Sequence, residues 1–156
     1  MKLRFICSNH RRWLESDSEA TRATWLRSYN QAAALSELDD KEKALNYAGS
    51  ALEAAELLVF SHFRQAEADI TRFVDSAVLL CRWLIRSGQP RLACGVVGGC
   101  IARLEELLFN GTEHTAVLGG CQRLLRVGDD GAPTQLIDCE PRAPVHSNST
   151  GRWSLH

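Results

Sequence analysis

The chain has 156 residues, of which 45% are hydrophobic and 24% charged, and its formal net charge is −1. This composition is typical of a soluble domain with one hydrophobic core, and it argues against a disordered or fibrous chain. Because charges of both signs are interspersed, no basic surface is predicted that would hold nucleic acid through its phosphates. The basic residues near the amino end, Lys2, Arg4, His10, Arg11 and Arg12, are interpreted as a solvated terminus.

Residues 1–15 show no sustained hydrophobic periodicity, so we predict a poorly ordered leader with at most a short helical turn. Its apolar stretch is interrupted by Arg4 and is shorter than the roughly 7–15 apolar residues of an export signal. The longest uncharged run, residues 92–102, is also shorter than the roughly 20 residues that a membrane-spanning helix needs. We therefore expect a cytoplasmic protein that does not cross a membrane.

A capping box formed by Ser16 and Glu19 predicts the start of the first helix, which should end near Leu38. Asp39 and Asp40 follow and are predicted to cap the second helix, because their negative charge suits the positive end of a helix. The connection between the two helices is very short. The pair should therefore be antiparallel.

The second helix is predicted to give way to a third within residues 60–63, with Ser61 as the cap. The third helix should end at Ser87 and lie in the middle of the fold, because it is apolar on several faces. Gly88 and Pro90 are signals for the end of one helix and the start of the next.

The fourth helix should end at Asn110 and Gly111, and a fifth should run from a Thr112 cap to Gly128. Together these elements predict a helical domain over residues 16–128 and a disordered tail over residues 129–156. Three glycines interrupt the fourth helix, and close packing against a neighbouring helix is the expected compensation. They are Gly95, Gly98 and Gly99.

Groups for catalysis or metal binding are scarce. No two of the six cysteines are separated by only two residues, and the four that fall within helical patterns are interpreted as reduced apolar residues. His62 and His114 have no recognised spacing to Cys81 or Cys121, and no phosphate loop or dinucleotide fingerprint occurs. We predict no catalytic activity, no cofactor and no metal, with a thiol or metal enzyme as a remote alternative.

The first two helices and the next two share one spacing of small residues, at intervals of 12 and then 7 residues. These residues are Ala32, Ala44 and Ala51 in the first pair, and Cys81, Ala93 and Cys100 in the second. Small side chains at such places let antiparallel helices approach closely. The spacing resembles that of tetratricopeptide repeats, and residues 42–48 are similar to the start of a second repeat helix.

The resemblance covers residues 19–108 and implies an all-α fold. It consists of two antiparallel helix hairpins in a right-handed superhelix, with the fifth helix as a C-terminal cap. The chain is also similar to short gammaproteobacterial proteins of this build. It departs from the family because the two pairs are offset by 49 residues instead of the usual 34, so lengthened second and third helices are expected.

In repeats of this type the first helix of each pair lines a concave surface, so the resemblance implies a groove that binds an unknown protein or peptide. Its predicted residues are Leu26, Tyr29, Asn30, Ala33, Asp75, Val78, Arg82 and Arg86. Arg82 and Arg86 lie one turn apart and form a candidate carboxylate receptor. Tyr29 and Ala33 replace the lysine and asparagine of the family's clamp for chaperone tails, so that ligand is not expected.

The predicted function is therefore a non-catalytic interaction scaffold that binds a peptide or a partner helix in this groove. The alternative is a structural homo-oligomer, such as a homodimer, that packs through the fourth or fifth helix.

Overall fold

A computed structural model describes residues 3–36, 38–62, 66–111 and 114–131. These residues form an all-α fold. Its elements are α1 (Ser8–Ser16), α2 (Ser18–Ala34), α3 (Lys41–Leu57), a π-helical segment (Leu58–His62), α4 (Ala66–Arg86), α5 (Pro90–Phe109) and α6 (His114–Gly131). Helices that follow one another along the chain pack together, and α6 lies against both α4 and α5.

Helix α4 is at the centre, as its apolar residues on several faces predicted. Phe73, Leu80 and Trp83 are among the largest side chains that are almost fully buried. The indole N–H of Trp83 donates a hydrogen bond of 3.3 Å to the carbonyl oxygen of Ala32, so the ring is satisfied inside the core. The same carbonyl lies on α2, so this contact ties α4 to the first hairpin.

The six small residues that suggested a repeat are all buried, at 0% to 6% exposure. They are Ala32, Ala44, Ala51, Cys81, Ala93 and Cys100. Cys81 and Ala93 meet directly, since the Cys81 thiol lies 3.6 Å from the Ala93 carbonyl oxygen across the α4–α5 hairpin. The burial expected of small residues at helix crossings is thus confirmed at all six positions.

The amino-terminal part differs from the expected leader, because residues 8–16 form helix α1. Leu14 is fully buried, and its carbonyl oxygen lies 2.6 Å from the hydroxyl of Thr21 and 3.0 Å from Nε2 of His62. A single buried leucine gives no periodic signal, so the sequence did not reveal this helix.

The predicted Ser16 cap is wrong by one residue. Asp17 accepts hydrogen bonds from the backbone N–H groups of Glu19 and Ala20, whereas the Ser16 hydroxyl donates to the Trp13 carbonyl at the end of α1. Asp17 therefore separates two helices that are only one residue apart.

The α2–α3 turn confirms the cap at Asp40, whose carboxylate accepts from the N–H groups of Glu42 and Lys43. Helix α2, however, ends at Ala34 and not near Leu38. The Asp39 carboxylate accepts hydrogen bonds from the N–H and the hydroxyl of Ser36. These bonds favour a tight turn at this point instead of a continued helix, and they lower the pKa of Asp39.

Ser61 lies inside the π-helical segment that continues α3, so it does not cap the next helix as predicted. Residues 63–65 and the predicted cap Thr112 are outside the described residues.

The α4–α5 connection is as predicted. Gly88 has a positive φ of 75°, and Pro90 lies in the first turn of α5. Gly111, after the end of α5, likewise has a positive φ of 76°. Helix α6 runs to Gly131, three residues beyond its predicted end. Residues 132–156 lie outside the described part.

The expected close packing at Gly95, Gly98 and Gly99 is wrong, because a Cβ added to any of them would meet nothing within 4 Å. Close approach occurs at Gly120 instead, where an added Cβ would lie 2.8 Å from Cγ2 of Val74. Gly120 thus sets the distance between α6 and α4.

Within the described ranges, no helix has both the length and the apolar character needed to cross a membrane.

The Gly120 contact gives a matched pair of variants in one helix. Gly120→Ala is expected to be less stable than Gly119→Ala by about 1–3 kcal/mol, since only the first forces a methyl group against Val74. Gly119→Ala should itself stabilise the protein by about 0.5–1 kcal/mol, because alanine is the better helix former and the site is open. Urea unfolding measures the free energy of unfolding of both variants. Val74→Ala should reduce the difference in stability between them, because it removes the methyl group that Gly120→Ala would contact. Equal stability of the two alanine variants would contradict this packing.

Candidate binding surface

Trp25 links α2 to α4 at the surface that the sequence indicated. Its indole N–H donates a 2.9 Å hydrogen bond to the hydroxyl of Ser76, and the guanidinium of Arg72 lies 5.4 Å from the centre of the ring. Arg72 is in turn held by the buried Asp69 at 2.5 Å. The tryptophan is therefore fixed in one position by groups on the neighbouring helix.

Tyr29 stacks on Trp25, with ring centres 5.6 Å apart and an interplanar angle of 30°. Burial and the Asp75 carboxylate raise the pKa of Tyr29, while Arg123 and Arg82 act in the opposite direction. The phenol is accordingly neutral at physiological pH and keeps its O–H as a donor. This stack forms a rigid, half-buried aromatic surface beside three charged side chains.

Asp75 and Arg123 bring the last helix into the same surface. Their side chains form an ion pair of 2.6 Å between α4 and α6, and the Arg123 side chain remains 48% exposed. A cleft between these helices continues from Arg123 past Gly119, Val74 and Ile70. We call the surface formed by Trp25, Tyr29, Asp75, Arg82, Arg86 and Arg123 the arginine face.

The predicted groove residues divide into three groups. Those on the surface are Leu26, Asn30, Ala33, Arg82 and Arg86; Tyr29 and Asp75 are half-buried, and Val78 is buried at 6% exposure. Val78 is therefore part of the core and, unlike the other predicted groove residues, offers little surface to a partner. The guanidinium of Arg86 lies 5.5 Å from the Trp83 ring.

Several residues of this surface were absent from the predicted set. Trp25 is one of them, although its aromatic pair with Tyr29 at positions i and i+4 is a readable signal for a shared surface. Arg72, Ser76 and Arg123 have no such signal. Arg72 and Ser76 join the site because α2 packs on α4, and Arg123 joins it because α6 packs on α4.

A second feature lies between α3 and α5. There a groove of about 660 Å³ is lined mainly by apolar side chains, and Leu3 and Phe5 of the segment before α1 form part of its wall. Glu53, on the side of α3 that faces this groove, is only 7% exposed although it is a charged residue. Its carboxylate accepts hydrogen bonds from the N–H groups of Phe5 and Ile6 and contacts Arg11 at 3.4 Å.

The groups that an enzyme of thiol or metal type would use have structural partners. His62 contacts a main-chain oxygen and the Thr21 hydroxyl, and the Cys81 thiol faces a carbonyl oxygen. Across the part of the chain that the structure describes, no three His, Cys, Asp or Glu side chains are grouped so as to hold a metal ion. Burial raises the pKa of Cys81 and of Cys100 from 9.0 to about 12.

The cysteines should accordingly differ in reactivity, because the thiolate is the nucleophile. At pH 8 the exposed Cys7 and Cys94 are expected to react with a thiol reagent, and Cys81 and Cys100 only after unfolding. Mass spectrometry of the labelled native protein assigns the sites. Rapid labelling of Cys81 or Cys100 would contradict their burial.

The same shifts predict a pH dependence of stability. Below pH 9 the thiols are protonated in both states; above it the unfolded chain loses these protons while the native chain keeps them until about pH 12. The free energy of unfolding should therefore fall as the pH rises from 9, and less steeply in a Cys81→Ala, Cys100→Ala variant.

No family model, curated protein or solved structure matches this chain. Its function must therefore be argued from its own residues, and the arginine face combines the features that a binding site needs. It has a fixed aromatic surface, exposed guanidinium groups and contributions from three helices.

Proposed function

We propose that this protein is a cytoplasmic, non-catalytic interaction module of tetratricopeptide type that binds an acidic peptide segment on its arginine face. In this interpretation α2 with α3 and α4 with α5 are successive hairpins of a right-handed superhelix, and α6 is the capping helix. The buried trios of small residues support the pairing. The observation that carries the proposal is the stacked Trp25–Tyr29 pair beside exposed arginines.

The charge of the arginine face favours an acidic partner. The arginine face contains three arginines, all on exposed positions, and one acidic residue, Asp75; the arginines are Arg82, Arg86 and Arg123. Arginine binds carboxylates through two parallel hydrogen bonds. The aromatic pair supplies apolar contact area with few rotatable bonds, as at many binding sites.

Asp75 has a specific role in this proposal. Its carboxylate already occupies Arg123 and lies near Tyr29, so it competes with a carboxylate of the partner for the same guanidinium. Arg82 forms no ion pair with any of the described residues and is the first contact that we assign to the partner. The two residues should thus have opposite effects on affinity when they are neutralised.

The binding experiment begins with selection from a random library of 12-residue peptides. The strongest selected peptide is then measured by fluorescence anisotropy beside a counterpart with Gln for Glu and Asn for Asp. Arg82→Ala should weaken binding of the acidic peptide about 10- to 100-fold, because a charge-assisted hydrogen bond contributes about 1.5–3 kcal/mol. Asp75→Asn should tighten it several-fold, and added salt should weaken it.

Arg91→Ala is the charge-matched control, since Arg91 is exposed but lies on α5, outside the arginine face. Its affinity should equal that of the unaltered protein. An equal loss of affinity in Arg91→Ala and Arg82→Ala would mean that binding depends on the net charge of the protein and not on the arginine face. Failure to select any peptide would count against the binding function itself.

A second candidate function is a homo-oligomer that packs through α5 or α6. It is favoured by Leu118 and Leu125, which lie two turns apart on α6 and are 53% and 54% exposed. These leucines would be covered by a second copy, and Leu118→Glu with Leu125→Glu should then convert the oligomer to a monomer. Sedimentation analysis decides it, and a strict monomer of the unaltered chain at high concentration rules it out.

A further inference from the structure

We propose that residues 3–7, here called the strap, are a removable occupant of a second binding groove. This strap groove lies between α3 and α5 and takes a partner segment that presents two successive backbone N–H groups and an aromatic side chain. The proposal is independent of the arginine face, because α2 and α6 contribute none of the residues that line the strap groove.

The strap groove has the size and lining of a binding site. The space that stays open beside the strap is about 660 Å³, which falls within the range of about 300–1,000 Å³ that is usual for ligand sites. The apolar side chains come from α3, α4 and α5, and the strap covers part of them. They are Leu52, Phe73, Leu80, Leu92 and Val96, with bare backbone at Gly95 and Gly99.

Glu53 recognises the backbone of the strap and not its sequence. One carboxylate oxygen accepts from the N–H groups of two successive residues, Phe5 and Ile6, at the bend of the strap, which is an arrangement that any segment with this bend can offer. A buried carboxylate must keep such partners, because an unpaired charge in a low-dielectric site is costly. A segment that replaces the strap therefore has to present the same pair of donors.

Gly49 selects for an aromatic ring. The Phe5 ring lies directly over its Cα, and a Cβ at this position would overlap the ring. Gly49 is buried in the middle of α3, where glycine is otherwise unfavourable for a helix. The missing side chain thus makes room for a flat side chain on the segment that crosses α3.

The strap can leave without unfolding the domain. Phe5 is only half-buried, and Arg4 is exposed. Helix α1 has its own anchor in the fully buried Leu14, whose carbonyl is held by Thr21 and His62. Arg11 on α1 also stays beside Glu53 when the strap is released, so the carboxylate keeps a charged partner. Segments with so few buried contacts open at a lower cost than the core.

Binding in trans tests the strap groove in the full chain. The probe is a fluorescent peptide of residues 2–8 with capped ends and serine in place of Cys7. It should bind Phe5→Ala at least tenfold more tightly than the unaltered protein, whose own strap competes. Adding Gly49→Ala to Phe5→Ala should abolish the gain, because the methyl group fills the site of the ring.

Two controls separate a groove from non-specific adhesion. A probe with alanine at the Phe5 position should not bind, and Glu53→Gln in the Phe5→Ala chain should weaken binding because an amide is a poorer acceptor for two N–H groups. Equal affinity of the probe for the Phe5→Ala and unaltered chains would overturn the proposal.

Hydrogen exchange of the unaltered protein gives an independent measurement. The N–H groups of Phe5 and Ile6 should exchange at least tenfold faster than those in the last turn of α1. Thermal unfolding of Phe5→Ala should remain cooperative, with a smaller loss of Tm than for Leu14→Ala. Simultaneous exchange of strap and helix, or global unfolding of Phe5→Ala, would make the strap part of the core and refute its release.

Discussion

The fold depends on the burial of one long helix, α4, which carries apolar residues around most of its circumference. Five of its residues are nearly inaccessible to water: Phe73, Val74, Ala77, Leu80 and Trp83. No single neighbouring helix can cover all of them. Helices α3, α5 and α6 pack around α4, and α2 reaches it through Trp25. The other helices are thereby arranged around it. The parts of α4 that these helices leave uncovered form the surface that is available to a partner.

The arginine face follows directly from that arrangement. Four of the six charged residues of α4, at positions 72, 75, 82 and 86, fall on one stripe, and this stripe is bordered by α2 on one side and α6 on the other. A largely buried helix thus presents most of its charges at one place. Trp25 and Tyr29 stand along one border, and Arg123 stands along the other. The concentration of charge is a consequence of packing and not of an unusual local sequence.

The two proposed sites use different physical means of recognition. The arginine face offers charge and aromatic area, so its affinity should depend on the acidic content of a partner and on salt. The strap groove offers a buried acceptor for backbone N–H groups and space for one ring above Gly49. Its affinity should depend less on the acidic content of a partner. The strap, which covers part of the groove, shows what kind of segment fits.

The sequence by itself determined the all-α class, the central position of α4, the cap at Asp40 and the turn through Gly88 and Pro90. These depend on periodicity and on local backbone chemistry, which act over only a few residues. It also identified the small residues that are buried between helices. Tertiary structure decided the rest. Helix α1 is held by one leucine, Glu53 is buried because the strap crosses it, and Arg123 meets Asp75 across 48 residues of chain. Contacts of this kind join residues far apart along the chain, and no periodic pattern within one helix records them.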